Sequence, residues 1–178
     1  MKATSIIRRI DDLGRIFIPK EIRKKLMLRV GENLEIYIDK ENNIVLKKFS
    51  VISKISDLAQ KITNSMNIFT KYNIIIMDTN EFIACSGPLK KEILNQSISD
   101  ELRHLIEKRE IILQNHLKDL KIMDNKIISC SYADSTILVD GEAIGLIMIL
   151  SEQDKLTNFE MMIVEIVSSF LKKYLEQY

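Results

Sequence analysis

Residues 8–25 read RRIDDLGRIFIPKEIRKK, and this stretch decides the fold of the first fifty residues. Asp11-Asp12-Leu13-Gly14 is a turn between two stretches rich in β-branched residues, Thr4 to Ile10 and Arg15 to Ile18. Gly14 supplies the positive φ that such a turn needs. Pro19 stands at the first position of a short helix, where its missing N–H costs nothing. That helix is expected from Lys20 to about Met27, burying Ile22 and Leu26 and exposing Arg23, Lys24 and Lys25. Gly31 then breaks the chain. Leu34, Ile36 and Ile38 alternate with Glu35, Tyr37 and Asp39, the period-two pattern of a strand with one wet face. Lys40 to Asn43 turn the chain back, and Ile44, Leu46 and Lys48 share a face of the last strand.

Four short strands and one helix in fewer than fifty residues rarely bury enough apolar surface to be stable alone. The chain's two cysteines, Cys85 and Cys130, both lie outside this segment. Oligomerisation is the remaining route, so the head is expected to be an obligate dimer. A two-fold dimer brings two copies of each basic residue onto one composite face. Charge follows the same division. Residues 1–50 hold twelve Lys/Arg against seven Asp/Glu, a net +5, while the remainder holds fourteen against eighteen, a net −4. A basic head on a mildly acidic body points to a nucleic-acid partner, although a solvated charged face produces the same imbalance.

The strings Met1-Lys2-Ala3-Thr4, Arg8 to Arg15, Ile18-Pro19-Lys20-Glu21-Ile22-Arg23, Leu34-Glu35-Ile36 and Leu46-Lys47-Lys48 closely resemble the AbrB-type swapped-hairpin DNA-binding family. The resemblance implies a dimer of interleaved hairpins that binds double-stranded DNA. By position, it assigns DNA contacts to Arg8, Arg9, Arg15, Arg23 and Lys24. Lys24 stands where the family usually has arginine, and lysine cannot make the bidentate fork to guanine or phosphate. Ser5 and Phe17 replace the more usual glycine and valine. The competing reading is that Arg8 and Arg15 pair with Asp11 and Asp12 around the turn. Across its whole length the chain resembles sporulation regulators that join such a head to a GAF domain.

After Phe49-Ser50, helical periodicity starts at once. Ile52, Ile55, Ala59, Ile62, Met66 and Phe69 form an apolar seam that suits either the domain's own sheet or a partner helix. Tyr72 to Met77 and Glu81 to Ser86 are apolar strands joined as a hairpin. A helix is expected from Glu92 to about Lys108, with Asn95 to Ser99 able to break it. Strands follow near Ile111 to Leu113, Ile127 to Tyr132, Ser135 to Val139 and Ala143 to Leu150, with Asp140-Gly141 as a tight turn. A closing helix runs from about Asn158 to Tyr174, capped by Thr157 or Asn158. Its stripe from Phe159 through Met162, Ile166 and Phe170 to Tyr178 is wider than one sheet contact requires. The two flanking helices are therefore candidates for a bundle shared between subunits.

Catalytic chemistry has little support. His104 and His116 lack a metal-ligand spacing, and no phosphate loop, nucleophile elbow or Cys-His pair occurs. Cys85 and Cys130 read as small hydrophobes in apolar strands, with a redox pair the rarer outcome. No stretch longer than nine residues is free of charge, too short for a membrane span, and no signal peptide follows Met1.

These readings give an α+β protein. Residues 1–50 form a small swapped-hairpin, barrel-like, dimeric DNA-binding head. Residues 51–178 form a GAF-like α/β sensor domain with flanking helices. The expected function is a cytoplasmic, sequence-specific transcriptional regulator of sporulation genes, activator or repressor, and not an enzyme. It is expected to need no cofactor or metal. A homodimer would form through residues 1–50 and a homotetramer through helices near 51–69 and 158–178. An effector of unknown identity and site is expected in the second domain. The alternative is an antitoxin with the same head that neutralises a toxin.

Overall fold

The computed structural model describes residues 6–26, 28, 30 and 34–177. The start of the first expected strand (Thr4, Ser5), the helix end at Met27, the break at Gly31 and Tyr178 lie outside them. By its internal contacts the chain divides into two units, residues 1–49 and 50–178.

In the first unit, α1 (Lys20–Lys25) starts directly after Pro19, with Glu21 in its first turn and Arg23, Lys24 and Lys25 in its last. Charges of these signs at these ends favour the helix dipole. No residue of α1 is buried. Ile22 is half-buried and Leu26 is exposed, so the expected burial of both is corrected. β1 (Leu34–Ile38) and β2 (Ile44–Lys48) form an antiparallel pair, with Ile36 opposite Leu46 and Ile38 opposite Ile44. One face of the hairpin is therefore apolar, as the alternation requires, yet all four of those side chains are exposed within the chain. Residues 6–10 and 15–18 take no strand pairing here, although the sequence predicts two strands. A strand is defined by its ladder, and within one chain these stretches run on either side of a turn without forming one.

The second unit is a five-stranded antiparallel sheet of order β4-β3-β7-β6-β5 with helices on both faces. Its strands are β3 (Asn73–Asp78), β4 (Phe82–Ser86), β5 (Ile111–Met123), β6 (Lys126–Val139) and β7 (Glu142–Ser151). One face carries Ile75, Met77, Phe82, Tyr132 and Met148. It is covered by the short α3 (Lys90–Ile93) and by α4 (Asp100–Lys108), which brings Leu102, Leu105 and Ile106. The expected break in that helix is real: Ser99 opens α4 by accepting the Leu102 N–H. The other face carries Ile74, Ile76, Ala133, Ile147 and Ile149. A 3₁₀ turn (Ile52–Ile55), α2 (Ser56–Thr70) and α5 (Asn158–Leu175) lie against it. Gly145 makes this packing feasible, because a Cβ there would sit 2.2 Å from the Met77 carbonyl oxygen and 2.4 Å from Ile52 Cδ1.

Two expectations need correction, and a third point is decided between alternatives. β5 runs to Met123, well past Leu113, because it is an edge strand whose exposed middle tolerates polar residues. β6 is one strand of 14 residues rather than two, passing through Ala133 and Asp134. The seam from Ile52 is partly internal, with Ile52, Ile55 and Ala59 buried on the unit's own sheet and Phe69 85% exposed. α5 has a capping box, in which Thr157 Oγ1 accepts the Phe159 N–H at 3.2 Å and Glu160 accepts the Thr157 N–H at 2.8 Å. Beyond the cap, α5 buries Val164, Leu171 and Leu175 but leaves Phe159, Met162, Ile166 and Phe170 about half exposed or more.

Candidate nucleic-acid interface

The turn at residues 11–15 is built on one carboxylate. Asp11 Oδ1 accepts the Leu13 N–H at 3.0 Å and the Arg15 N–H at 2.8 Å, and Asp11 Oδ2 accepts Arg15 Nε at 2.8 Å. The Asp11 N–H closes the loop onto the Arg15 carbonyl at 3.1 Å, and Gly14 takes φ 76. The Arg15 backbone N–H, then its guanidinium, then the Leu13 N–H hold the Asp11 carboxyl below its ordinary value of 3.8. These contacts are complete while Asp11 is ionised and are lost as pH falls through its lowered pKa. An acid titration followed at the Leu13 and Arg15 amides should therefore show a midpoint below that of an ordinary aspartate. A midpoint at or above the ordinary value would mean that the carboxylate does not organise the turn.

The same device recurs at the tip of β1–β2, where the sequence pattern predicts only a turn. Asp39 Oδ1 accepts the Glu41 N–H and the Asn43 N–H, both at 2.9 Å, and Oδ2 accepts Asn43 Nδ2 at 3.1 Å. Asn42 takes the positive φ of 63 that Gly14 takes in the first turn. The signal is an aspartate followed three residues later by Gly14 or Asn42, residues that tolerate this conformation.

The five cations assigned by resemblance are all in the first unit but are not equivalent. Arg15 is clamped through Nε, yet its side chain remains 72% exposed, so pairing and outward presentation coexist. Arg8 makes no ion pair with the turn; its guanidinium lies over the Phe17 ring, 5.8 Å from the centroid. Phe17, a departure from the family's usual valine, thus gives Arg8 a platform. Arg9 and Lys24 are exposed. Arg23 is half-buried, and its Nε is buried with no hydrogen-bond partner among the described residues. The first unit therefore presents exposed cations on the turn, the preceding segment and α1.

The remaining candidates for chemistry do not assemble. Cys85 on β4 and Cys130 on β6 are buried and free, with β3 and β7 between those strands. Burial pushes each thiol up to about 12, so neither is a ready nucleophile. His104 has a carboxylate nearby, its Nδ1 3.6 Å from Glu107 Oε2 on an exposed helix face. Among the described residues no group of three or more His, Cys, Asp or Glu could hold a metal ion, and no helix is long and apolar enough to cross a membrane.

Comparison with known proteins agrees with this division. Residues 54–176 match the family described as stage V sporulation protein T C-terminal, transcription factor. Residues 7–52 match the family described as antidote-toxin recognition MazE, bacterial antitoxin. Stage V sporulation protein T of Bacillus subtilis (strain 168) is 37% identical over 178 residues, covering 99% of this chain and 100% of that one. The transition state regulatory protein AbrB of the same organism is 38% identical over 77 residues, 40% of this chain and 79% of its own. Among solved structures, the GAF domain of an Acinetobacter phosphoenolpyruvate-protein phosphotransferase superposes with a TM-score of 0.56 at 11% identity, covering 74% of this chain and 84% of that one. A type II free methionine-R-sulfoxide reductase from Thermoplasma acidophilum also gives 0.56, at 12% identity, covering 71% of this chain and 96% of that one. At such identities the likeness is one of fold, and it identifies the sheet and helices of residues 50–178 as GAF-like. With a full-length relative above and the C-terminal family matched over residues 54–176, the chain belongs to the stage V sporulation protein T family of transcription factors.

Proposed function

We propose that this protein is a cytoplasmic, homo-oligomeric regulator of sporulation genes. In this reading residues 1–50 bind double-stranded DNA as an interleaved dimer, and residues 51–178 assemble the oligomer and sense an effector. One observation carries the dimer. Among the described residues of the first unit only Pro19 is buried, while Ile7, Ile10, Phe17, Ile36, Ile38 and Ile44 are all more than half exposed. Each such side chain gains roughly 1.5–3 kcal/mol when withdrawn from water, so a unit with no core of its own needs a second copy to supply one. Interleaving also gives segments 6–10 and 15–18 a neighbour with which to form a ladder.

The DNA contacts we assign are Arg8, Arg9, Arg15, Arg23 and Lys24, twice over in a dimer. Exposed Arg15, Arg9 and Lys24 suit phosphate contact, and Arg8, steadied on Phe17, suits a fixed position against the duplex. No catalytic role is assigned, in keeping with membership of a transcription-factor family. An antitoxin role fits the match of residues 7–52 but not the remainder, which is a folded domain rather than a short acidic tail. Selection of bound fragments from genomic DNA tests the reading. Enrichment of a common motif that disappears with Arg15→Ala supports it, and recovery of no enriched fragment would refute it.

The exposed stripe on α5 supports a second association surface. Phe159, Met162, Ile166 and Phe170 follow one another at helical spacing, and the Phe170 ring stacks on Tyr174 at 6.0 Å. Replacing Ile166 and Phe170 by glutamate should reduce a native mass of four chains to two. The same change at Ile55 would be a poor test, because Ile55 is only 6% exposed and belongs to the unit's own core. A native mass equal to one chain at micromolar concentration would contradict both association surfaces.

A further inference from the structure

We infer that a cavity at one corner of the second unit is its effector site, and that the ligand is a small zwitterion of the amino-acid class, with one ammonium and one carboxylate group. The cavity, of about 240 Å³, lies between the start of β5, the end of β6 and one flank of α5. Sites for drug-sized ligands run to roughly 300–1,000 Å³, so this one takes a smaller molecule. Its opening follows from the topology. The last rung between β5 and β6 is Ile111–Ser135, yet β6 continues to Val139, so no strand lies beside residues 136–139 on that side. The α5 wall is Glu165, Ser168, Ser169 and Lys172, whose spacing of three and four residues puts them on one flank of the helix. Phe159, Ile166 and Phe170, in the stripe proposed for oligomerisation, lie on a different flank.

Charge defines the class of ligand. Arg109 and Lys172 bring two cations to the walls, and Glu110 and Glu165 bring two acids. These opposite charges do not neutralise one another. Lys172 has a contact of 3.9 Å with Glu176, and the side chains of Arg109, Glu110 and Glu165 form no ion pair or hydrogen bond among the described residues. A simple anion would face both acids, a simple cation both bases, and an uncharged apolar molecule all four. A molecule with both charges meets each kind. The floor orients it. Ser135 and Ser168 are buried, with their hydroxyl oxygens 2.7 Å apart. Ser168 Oγ donates to the Glu165 carbonyl at 2.9 Å, so Ser135 Oγ is the donor between the two. Both protons are thus committed, and the floor offers only lone pairs, which suits an ammonium group. The carboxylate is left for Lys172 and for Arg109, whose guanidinium can take it in a two-point fork. Ile111 and Leu138 add apolar wall, which suits a short apolar side chain.

This names the effector class for the sensing role proposed for residues 51–178 and rests on that reading for its consequence, while the binding test itself uses no DNA. The full chain would be titrated with the protein amino acids by thermal unfolding and calorimetry. The tightest binder is then compared with its N-acetyl and methyl ester derivatives, each of which lacks one of the two charges. At least one amino acid should bind saturably with a Kd below about 1 mM, and each derivative should bind about tenfold or more weakly than its parent. Two variants locate the site and spare the fold. Ser169 is exposed, so Ser169→Phe obstructs the cavity from its outer wall. Arg109 takes φ 58, a conformation that glycine adopts freely, so Arg109→Gly removes the guanidinium where the replacement is well suited. Each should weaken binding by about tenfold or more without lowering the melting temperature of the unliganded chain. Failure of every amino acid to bind, equal binding by the two derivatives, or undiminished binding by Ser169→Phe would overturn the site. If binding holds but a saturating amino acid leaves DNA affinity unchanged, the site stands and the sensing role falls.

Discussion

Raising monovalent salt from 50 to 200 mM should weaken binding of the full chain to its DNA site by ~10³-fold or more. The expectation follows from the number of cations an interleaved dimer would present. Two copies of Arg8, Arg9, Arg15, Arg23 and Lys24 make up to about ten, and roughly six to eight of them meeting phosphates release as many counterions. Arg15 is the most informative single position. It both closes the Asp11 turn through Nε and extends a mostly exposed guanidinium from it. Arg15→Ala should cost about 10- to 100-fold in affinity and flatten the salt dependence, while native mass stays that of the parent oligomer. Arg15→Lys separates the two roles: it keeps the charge and most of the salt slope but loses the Nε clamp on Asp11. Affinity measured by fluorescence anisotropy across a salt series gives both numbers. Tight binding that ignores salt, or an Arg15→Ala protein that binds as the parent does, would show that this surface is not the DNA contact.

Much of this surface was legible in the sequence because its conformation is enforced locally. The Asp11-Asp12-Leu13-Gly14-Arg15 turn is determined by one carboxylate and one positive φ, both carried by short-range residues. The same is true of Pro19 before α1, the Asp140-Gly141 turn and the Thr157 cap. Features set by distant neighbours were harder to read. The polar run from Gln114 to Asp119 conceals an edge strand, because an edge needs only one ladder and leaves its middle wet. Ala133-Asp134 looks like a strand break, since aspartate is disfavoured in strands, yet it is held between β5 and β7. The half-burial of Arg23 and the internal role of Ile55 depend on tertiary packing that periodicity does not encode. The head's exposed apolar faces are legible only through size, since so small a unit cannot be stable alone.

Asp134 should make the second unit less stable as the solution becomes more alkaline across the neutral range. Burial pushes its carboxyl up from 3.8 to about 7, with Lys108 opposing the rise and Glu110 adding to it. The group therefore binds its proton more tightly in the folded chain than in the unfolded one. Its contribution is complete below about pH 4, declines as pH climbs from there through 7, and stays lost above. At ~1.4 kcal/mol for each tenfold gain in proton affinity, the whole loss is about 4 kcal/mol, a large share of a domain's stability. Asp134→Val removes the titrating group, suits a central strand and leaves no polar atom unmatched between Ile112 and Met148. The variant should gain roughly 2–4 kcal/mol over the parent at pH 8 and little at pH 4, so the difference between the two proteins isolates this carboxyl from every other acid. Thermal and urea unfolding at a series of pH values measures it, and the carboxyl carbon resonance of Asp134 should titrate near neutrality. If Asp134→Val is no more stable than the parent at pH 8, the carboxylate has found a partner within the fold. If the gain appears, the folded chain carries an unmatched charge at a measurable cost to stability.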